Sequence, residues 1–266
     1  MRRRGGRRGG AALLVTVAAA CGGLAATRLQ ETAPPRAAAR ALSLPPPVAP
    51  AFTPGRPRAL GPARYRTLWA PVRRAVAVRR APSAGAREIA RLDTTTPEGT
   101  DAIVTIAGRA LDARGRPWVR VRLAVLPNGT TGWVPRSALG GYNTVETRLV
   151  VSLRTLTATL YRDGRVLLRA PVGVGASATP TPVGEFYVRN RLTRYSSPVY
   201  GPVAFGTSAR SPQATDWPAG GYVGIHGTDQ PQLIPGRISH GCIRLRNADI
   251  LALSRLMPVG TPVAVR

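Results

Sequence analysis

Beyond about residue 64, apolar and polar residues alternate with a period of two, and this pattern predicts strands rather than helices. Leu156, Ala158 and Leu160 alternate with Thr155, Thr157 and Thr159. Asp163-Gly164 then turns the chain into Val166-Leu167-Leu168, a predicted hairpin. Upstream, Val119, Val121 and Leu123 alternate with Trp118, Arg120 and Arg122, and Val76 and Val78 lie two apart. Asn128-Gly129 predicts a further hairpin turn before Thr131-Gly132-Trp133-Val134-Pro135. A helical repeat stands near 248–257, where Ile250, Leu253 and Met257 share one face and Asn247 is the expected N-cap. Gly260 and Pro262 end that helix, and Val263-Ala264-Val265 predicts a last strand. The expected fold is mainly β, with a sheet that hosts the chemistry and one short buttressing helix.

The first 63 residues follow a different pattern. Residues 2–8 hold five arginines, and a small-residue apolar stretch runs from Ala11 to Ala26. A basic segment before a short apolar one reads as an export signal over 1–26. It is short for a membrane span of roughly 20 apolar residues. Cys21 is then either lipidated after cleavage or discarded with the signal. Residues 27–63 are rich in Ala, Pro and Arg and include Pro45-Pro46-Pro47. Such a linker prefers extended conformations and is expected to lift a folded part off the membrane. The expected location is extracytoplasmic, in the cell wall or at the outer face of the cell membrane, with membrane contact only through the signal or lipid.

Composition changes this picture little. The chain has 266 residues, 44% of them hydrophobic, enough for one large or two small domains with a buried core. Its 38 basic residues against 12 acidic ones give a net charge of +26, and every basic residue is arginine. The absence of lysine points to codon bias before it points to a selected polyanion-binding patch. Nucleic acid is not an expected partner, since no recognised motif accompanies the charge and the export signal leads away from it. Anionic wall polymers remain compatible with it. Two cysteines and two histidines exclude a disulfide scaffold and a four-cysteine zinc module.

Those scarce residues cluster. Gly224-Ile225-His226-Gly227-Thr228 precedes Ile238-Ser239-His240-Gly241-Cys242-Ile243-Arg244-Leu245. A thiol needs a nearby base to become a nucleophilic thiolate, and neighbouring glycines let substrate approach backbone N–H donors. The cluster therefore suits cysteine acyl transfer. Taken singly, the cysteine also fits a small buried hydrophobe, and two histidines with one cysteine could serve as three zinc ligands. No fourth ligand or supporting acid stands nearby, and no metal or cofactor is expected.

His-Gly-Thr and Ser-His-Gly-Cys-Ile-Arg-Leu, with twelve residues between His226 and Ser239, resemble the signature of the L,D-transpeptidases with a YkuD-type catalytic domain. Thr181-Pro182-Val183-Gly184-Glu185-Phe186, Asn247, Asp249 and Gly260-Thr261-Pro262-Val263 extend the resemblance over 144–266. The short spacer, and Arg244 where mycobacterial members have asparagine, set the chain apart from that branch. The resemblance implies a β-sandwich with Cys242 as nucleophile and His226 as general base, oriented by a carbonyl near Gly227. Backbone N–H groups around His240, Gly241 and Cys242 would form an oxyanion hole. His240 is read as structural or supporting, and Ser239 as bonding within the loop. Arg244 either meets a substrate carboxylate or makes an ion pair that supports the fold.

The implied reaction is 3→3 cross-linking of peptidoglycan by acyl transfer from tetrapeptide stems, with no cofactor and with carbapenems acylating the cysteine. An L,D-carboxypeptidase of the same chemistry and a non-catalytic wall-binding protein are the alternatives. Residues 64–140, with short strands and a closing Gly-Trp-Val, resemble a bacterial SH3-like barrel, which implies either a wall-binding module or a plain spacer.

Overall fold

In the computed structural model, which describes residues 66–195, 197–213 and 220–266, the alternating stretches become two sheets. The expected signal, Cys21 and the 27–63 linker lie outside the described residues. The first sheet is built from β1 (Thr67–Pro71), β2 (Val76–Arg79), β3 (Glu88–Leu92), β4 (Ile103–Leu111), β5 (Pro117–Arg122), β6 (Thr131–Pro135) and β7 (Asn143–Val145). The strand order is β3-β2-β6-β5-β4-β1-β7, and each recorded pairing is antiparallel. Val78, Val104, Val119, Val121 and Val134 fill its core, as the period-two pattern requires.

Two local expectations change. Trp118, read as alternating outward with the arginines, is buried. Its Nε1 donates to the Asp112 carboxylate at 3.1 Å, and that carboxylate also accepts from the backbone N–H groups of Arg114 and Arg116. Trp118 thus finds the partner that a buried indole needs. Asn128-Gly129 sits in a longer loop between β5 and β6 instead of a tight hairpin turn. The Asn128 amide donates to the Arg210 carbonyl at 2.7 Å and accepts from the Arg210 N–H at 2.9 Å. It therefore ties this loop to the second sheet.

The second sheet contains β8 (Thr147–Ser152), β9 (Thr157–Arg162), β10 (Arg165–Pro171), β11 (Gly173–Gly175), β12 (Gly184–Leu192), β13 (Ala204–Arg210), β14 (Tyr222–His226), β15 (Gly236–Ser239) and β16 (Ile243–Arg244). Helix α1 (Asn247–Leu256) and β17 (Pro262–Val265) complete the chain. The order is β10-β9-β8-β17-β12-β13-β14-β16-β11-β15. The β9–β10 hairpin forms as predicted, with Asp163 at φ 50° and Gly164 at φ 79°. Leu156 does not join the strand; it takes φ 49° in the turn before β9.

β12 organises this sheet. Its first half, Gly184–Tyr187, pairs with β17, and its second half, from Val188, pairs with β13. Leu149, Val151 and Leu160 from one side meet Phe205, Ile225 and Ile243 from the other in one buried cluster. Ile250, Leu253 and Met257 complete that cluster from α1 and its C-terminal edge, so the helix buttresses the core as expected. Its N-cap is Arg246, without a side-chain cap bond, and Asn247 is used elsewhere.

The β3–β4 loop clamps the first sheet to β12. Arg189 and Glu98 form a buried ion pair at 2.7 Å. Asn190 Nδ2 donates to the same carboxylate at 3.0 Å and to Thr100 Oγ1 at 3.1 Å. Tyr187 donates from its hydroxyl to the Ile103 carbonyl at 3.3 Å, and burial pushes its phenol up to about 12. Gly260, at φ +89°, lets the Trp69 ring approach where a Cβ would collide with it.

A buried charge deprived of its partner costs about 3–5 kcal/mol. Glu98→Ala is therefore expected to lower the urea midpoint of the chain 66–266 strongly, whereas Glu88→Ala, at an exposed pair, leaves it nearly unchanged. Equal midpoints for the two variants would contradict the clamp.

Candidate active site

β14 carries His226 into the protein at its last residue, where the side chain is almost wholly buried. β16 pairs with β14 in parallel, Ile225 opposite Ile243 and His226 opposite Arg244. Continuing that register sets Gly224 opposite Cys242. Paired residues in a sheet point to the same face, and neighbours along a strand to opposite faces. Ile225 and Ile243 enter the core. Gly224, His226, Cys242 and Arg244 are consequently assigned to the other face. The Gly224 N–H donates to the Cys242 Sγ at 3.3 Å, which sets a partial positive charge against the sulfur.

His226 Nδ1 lies 2.7 Å from the Gly227 carbonyl oxygen. A carbonyl only accepts, so Nδ1 carries the proton. In the neutral ring, Nε2 then holds the lone pair that accepts a proton. Tyr200 meets the imidazole edge to face, with ring centroids 4.8 Å apart. The His226 carbonyl accepts from the Leu245 N–H at 2.8 Å, which locks the strand end to the chain just after β16.

Neutral groups hold the turn before Cys242. Ser239 Oγ donates to the Cys242 carbonyl at 2.6 Å and accepts from the Gly241 N–H at 3.2 Å. The Thr181 hydroxyl donates to the Gly241 carbonyl at 2.9 Å and accepts from the Gly175 N–H at 2.9 Å. Thr179 and Ala176 both donate to the Ser239 carbonyl. The Gly241 N–H is thus engaged inside the turn, where the resemblance had it contributing to an oxyanion hole. His240 is exposed on the outside of the turn, unlike His226.

Asn247 does something the sequence did not suggest. Its Oδ1 accepts from the Thr228 N–H at 3.0 Å. Gly201 and Gly227 approach that oxygen so closely that a Cβ on either would collide with it. A side chain expected to cap a helix therefore holds the chain just after the histidine. Arg244 is half-buried, with its Nε buried and without a hydrogen-bond partner.

Leu192, Tyr195, Tyr200 and Tyr222 pack around the pair Ala204 and Cys242. Tyr195 donates to the Tyr200 carbonyl at 3.3 Å, and burial, with Tyr200 beside it, pushes its phenol up to about 12. Neither tyrosine was singled out from the sequence. Both lie in an irregular connection where no periodicity marks a site. Thr181 stands in the quoted Thr-Pro-Val-Gly motif, although the motif alone did not assign its hydroxyl.

A thiol with an N–H donor, a base of fixed tautomer and a pinned glycine turn suit nucleophilic acyl chemistry. The sequence model of the YkuD L,D-transpeptidase catalytic domain matches residues 146–265. The chain belongs to this family. It is 34% identical over 122 residues to YkuD of Bacillus subtilis, covering 46% of this chain and 67% of that relative. YkuD of Bacillus licheniformis is 35% identical over 123 residues, with coverages of 46% and 67%. A crystal structure of a mutant L,D-transpeptidase from Enterococcus faecium shares 32% identity, with a TM-score of 0.36, covering 45% of this chain and 49% of that one. The chain thus spans about half of that protein's length.

Thr181→Val keeps the shape but removes both hydroxyl bonds. It should cost roughly 1–3 kcal/mol, speed exchange of the Gly175 amide that the hydroxyl accepts from and, by freeing the Gly241 carbonyl, loosen the 239–242 turn, read by thermal unfolding and hydrogen-exchange mass spectrometry. Unchanged exchange in the 239–242 turn would show that the hydroxyl is not what holds it.

Proposed function

We propose that the protein is a peptidoglycan L,D-transpeptidase that forms 3→3 cross-links through a Cys242 thioester. The observation that carries this reading is the fixed tautomer of His226 on the strand next to the thiol. His226 Nε2 takes the proton from Cys242. The thiolate attacks the carbonyl after the third residue of a tetrapeptide stem, and the developing oxyanion meets the Cys242 N–H, since that of Gly241 is held by Ser239. When the tetrahedral intermediate collapses, the C–N bond breaks. The proton passes from His226 to the departing D-alanine amine.

An amine of a neighbouring stem then attacks the thioester. His226 takes its proton and returns it to the sulfur as the C–S bond breaks. General base catalysis of this kind contributes about 10²–10⁴-fold. Arg244, with its buried Nε unpaired, is positioned in this reading to hold a substrate carboxylate. His240 and Ser239 shape the turn.

The first sheet is read as an SH3-like unit, and the protein as working outside the cytoplasm at the wall. The net charge, +26 for the whole chain and 26 − 5 = +21 once the five arginines of residues 1–26 are removed, suits contact with anionic wall polymers.

Incubation with disaccharide-tetrapeptide, followed by mass spectrometry, should yield a cross-linked dimer and free D-alanine. Cys242→Ala should abolish both, and normal cross-linking by that variant would sink the proposal. Tripeptide without dimer would identify an L,D-carboxypeptidase. His226→Ala is expected to lower kcat by about 10²–10⁴-fold, with a much smaller loss for His240→Ala; the reverse order would transfer the role of base to His240.

A further inference from the structure

Arg189 and Arg210 hold the Tyr222 ring between them. The guanidinium carbon of Arg189 stands 3.9 Å from the ring centroid, and that of Arg210 stands 4.0 Å from it. Two guanidinium groups this close to one centroid would overlap on a single face, so each takes its own. Such contacts strengthen when the cation is desolvated, and Arg189 is buried. Tyr222 begins β14, the strand that ends at His226. Val223 and Ile225 enter the core, so Tyr222 shares the opposite face with Gly224 and His226. Its ring packs with the pair Ala204 and Cys242.

The ring is held where the ladder is interrupted. β13 and β14 pair regularly at Ala204–His226, Phe205–Ile225 and Gly206–Gly224, and their next pair is Arg210–Tyr222. β13 therefore bulges between Gly206 and Arg210. On its other edge β14 meets β16 at Ile225 and His226, past Tyr222. Bulges recur beside active sites, where they re-aim a side chain. Here side chains replace the missing ladder bonds. The Thr207 hydroxyl donates to the Val223 carbonyl at 2.6 Å, and Arg189 Nε donates to the Thr207 carbonyl at 2.8 Å. Arg189 thus grips both the bulge and the ring.

Each arginine is itself anchored in the first sheet. Glu98 of the β3–β4 loop pairs with the Arg189 guanidinium, and Asn128 of the β5–β6 loop bonds the N–H and the carbonyl of Arg210. Contacts run from these two loops through the arginines and Tyr222 to Gly224, whose N–H donates to the thiol. A donor on sulfur favours the thiolate, so its placement bears on how readily Cys242 ionises.

We propose that Tyr222 is a positioning residue for the thiol, and that the first sheet governs Cys242 reactivity through the two arginines that grip this ring. The proposal rests on the transpeptidase reading for the role of that thiol. His226 on β14, Arg244 on β16 and His240 in the turn also stand around it, with Tyr195 and Tyr200 packed from the β12–β13 connection.

The test measures the thiol apart from turnover and leaves those five groups in place. Iodoacetamide alkylation of the full chain is followed against pH and read on the Cys242 peptide by mass spectrometry. Tyr222→Leu removes the aromatic faces and should move the apparent midpoint up by about one pH unit. Tyr222→Phe keeps the ring and should restore the parental midpoint. Asn128→Ala alters no charge and should move the midpoint in the same direction as Tyr222→Leu. Glu88→Ala, at an exposed pair of the first sheet, should leave it unchanged. Should Tyr222→Leu not fold, Asn128→Ala alone decides.

A midpoint unchanged or lowered in Asn128→Ala or in a folded Tyr222→Leu overturns the proposal. An equal shift in Tyr222→Phe and Tyr222→Leu overturns it too, since the ring faces would then play no part. The expected shifts together with no cross-linking by the unmutated protein would keep the clamp and overturn the transpeptidase reading instead.

Discussion

The parallel pairing of β14 with β16 is the constraint on which the site depends. Ile225 and Ile243 are fully buried in the main core, and that burial sets the register. A slip of one residue would drive the thiol into the core and push an isoleucine out, because side chains alternate between faces. The apolar face thus positions chemistry on the other face without touching it. β15 runs antiparallel to β14 and brings the chain back, and the turn at 240–242 reverses it into β16, as parallel pairing needs.

Around that register the protein uses neutral hydrogen bonds. Thr181, Ser239 and Asn247 each join backbone segments that lie far apart in sequence or turn sharply. The imidazole is oriented by a carbonyl, not by a carboxylate. A carbonyl fixes the tautomer and adds no charge to an already buried ring. This arrangement keeps the thiol and the imidazole as the groups that change charge during the proposed reaction.

Much of the catalytic unit was legible in the sequence, for identifiable reasons. The period-two stretch Thr155–Leu160 announced β9, which begins at Thr157, the apolar run Val263–Val265 announced the last strand, and Ile250, Leu253 and Met257 announced the helix face. His226 and Cys242 were conspicuous because histidine and cysteine are so scarce. What escaped were contacts made across the fold. Asn247 looked like a cap because it precedes an apolar helix, yet its oxygen meets Thr228, nineteen residues away in sequence. Trp118 looked exposed by alternation, and one carboxylate from a neighbouring turn made its burial possible. Tyr195, Tyr200 and Glu98 sit in connections, where spacing carries no signal and only tertiary packing assigns a place.

The clamp between Glu98 and Arg189 has a consequence for how such a protein changes over generations. Each partner lies in a different sheet, and neither is tolerable alone when buried. A change at Glu98 alone would leave Arg189, stacked on the Tyr222 ring at 3.9 Å, buried without its counter-ion. The two positions are thereby coupled: a change at either one is tolerated best with a compensating change at the other.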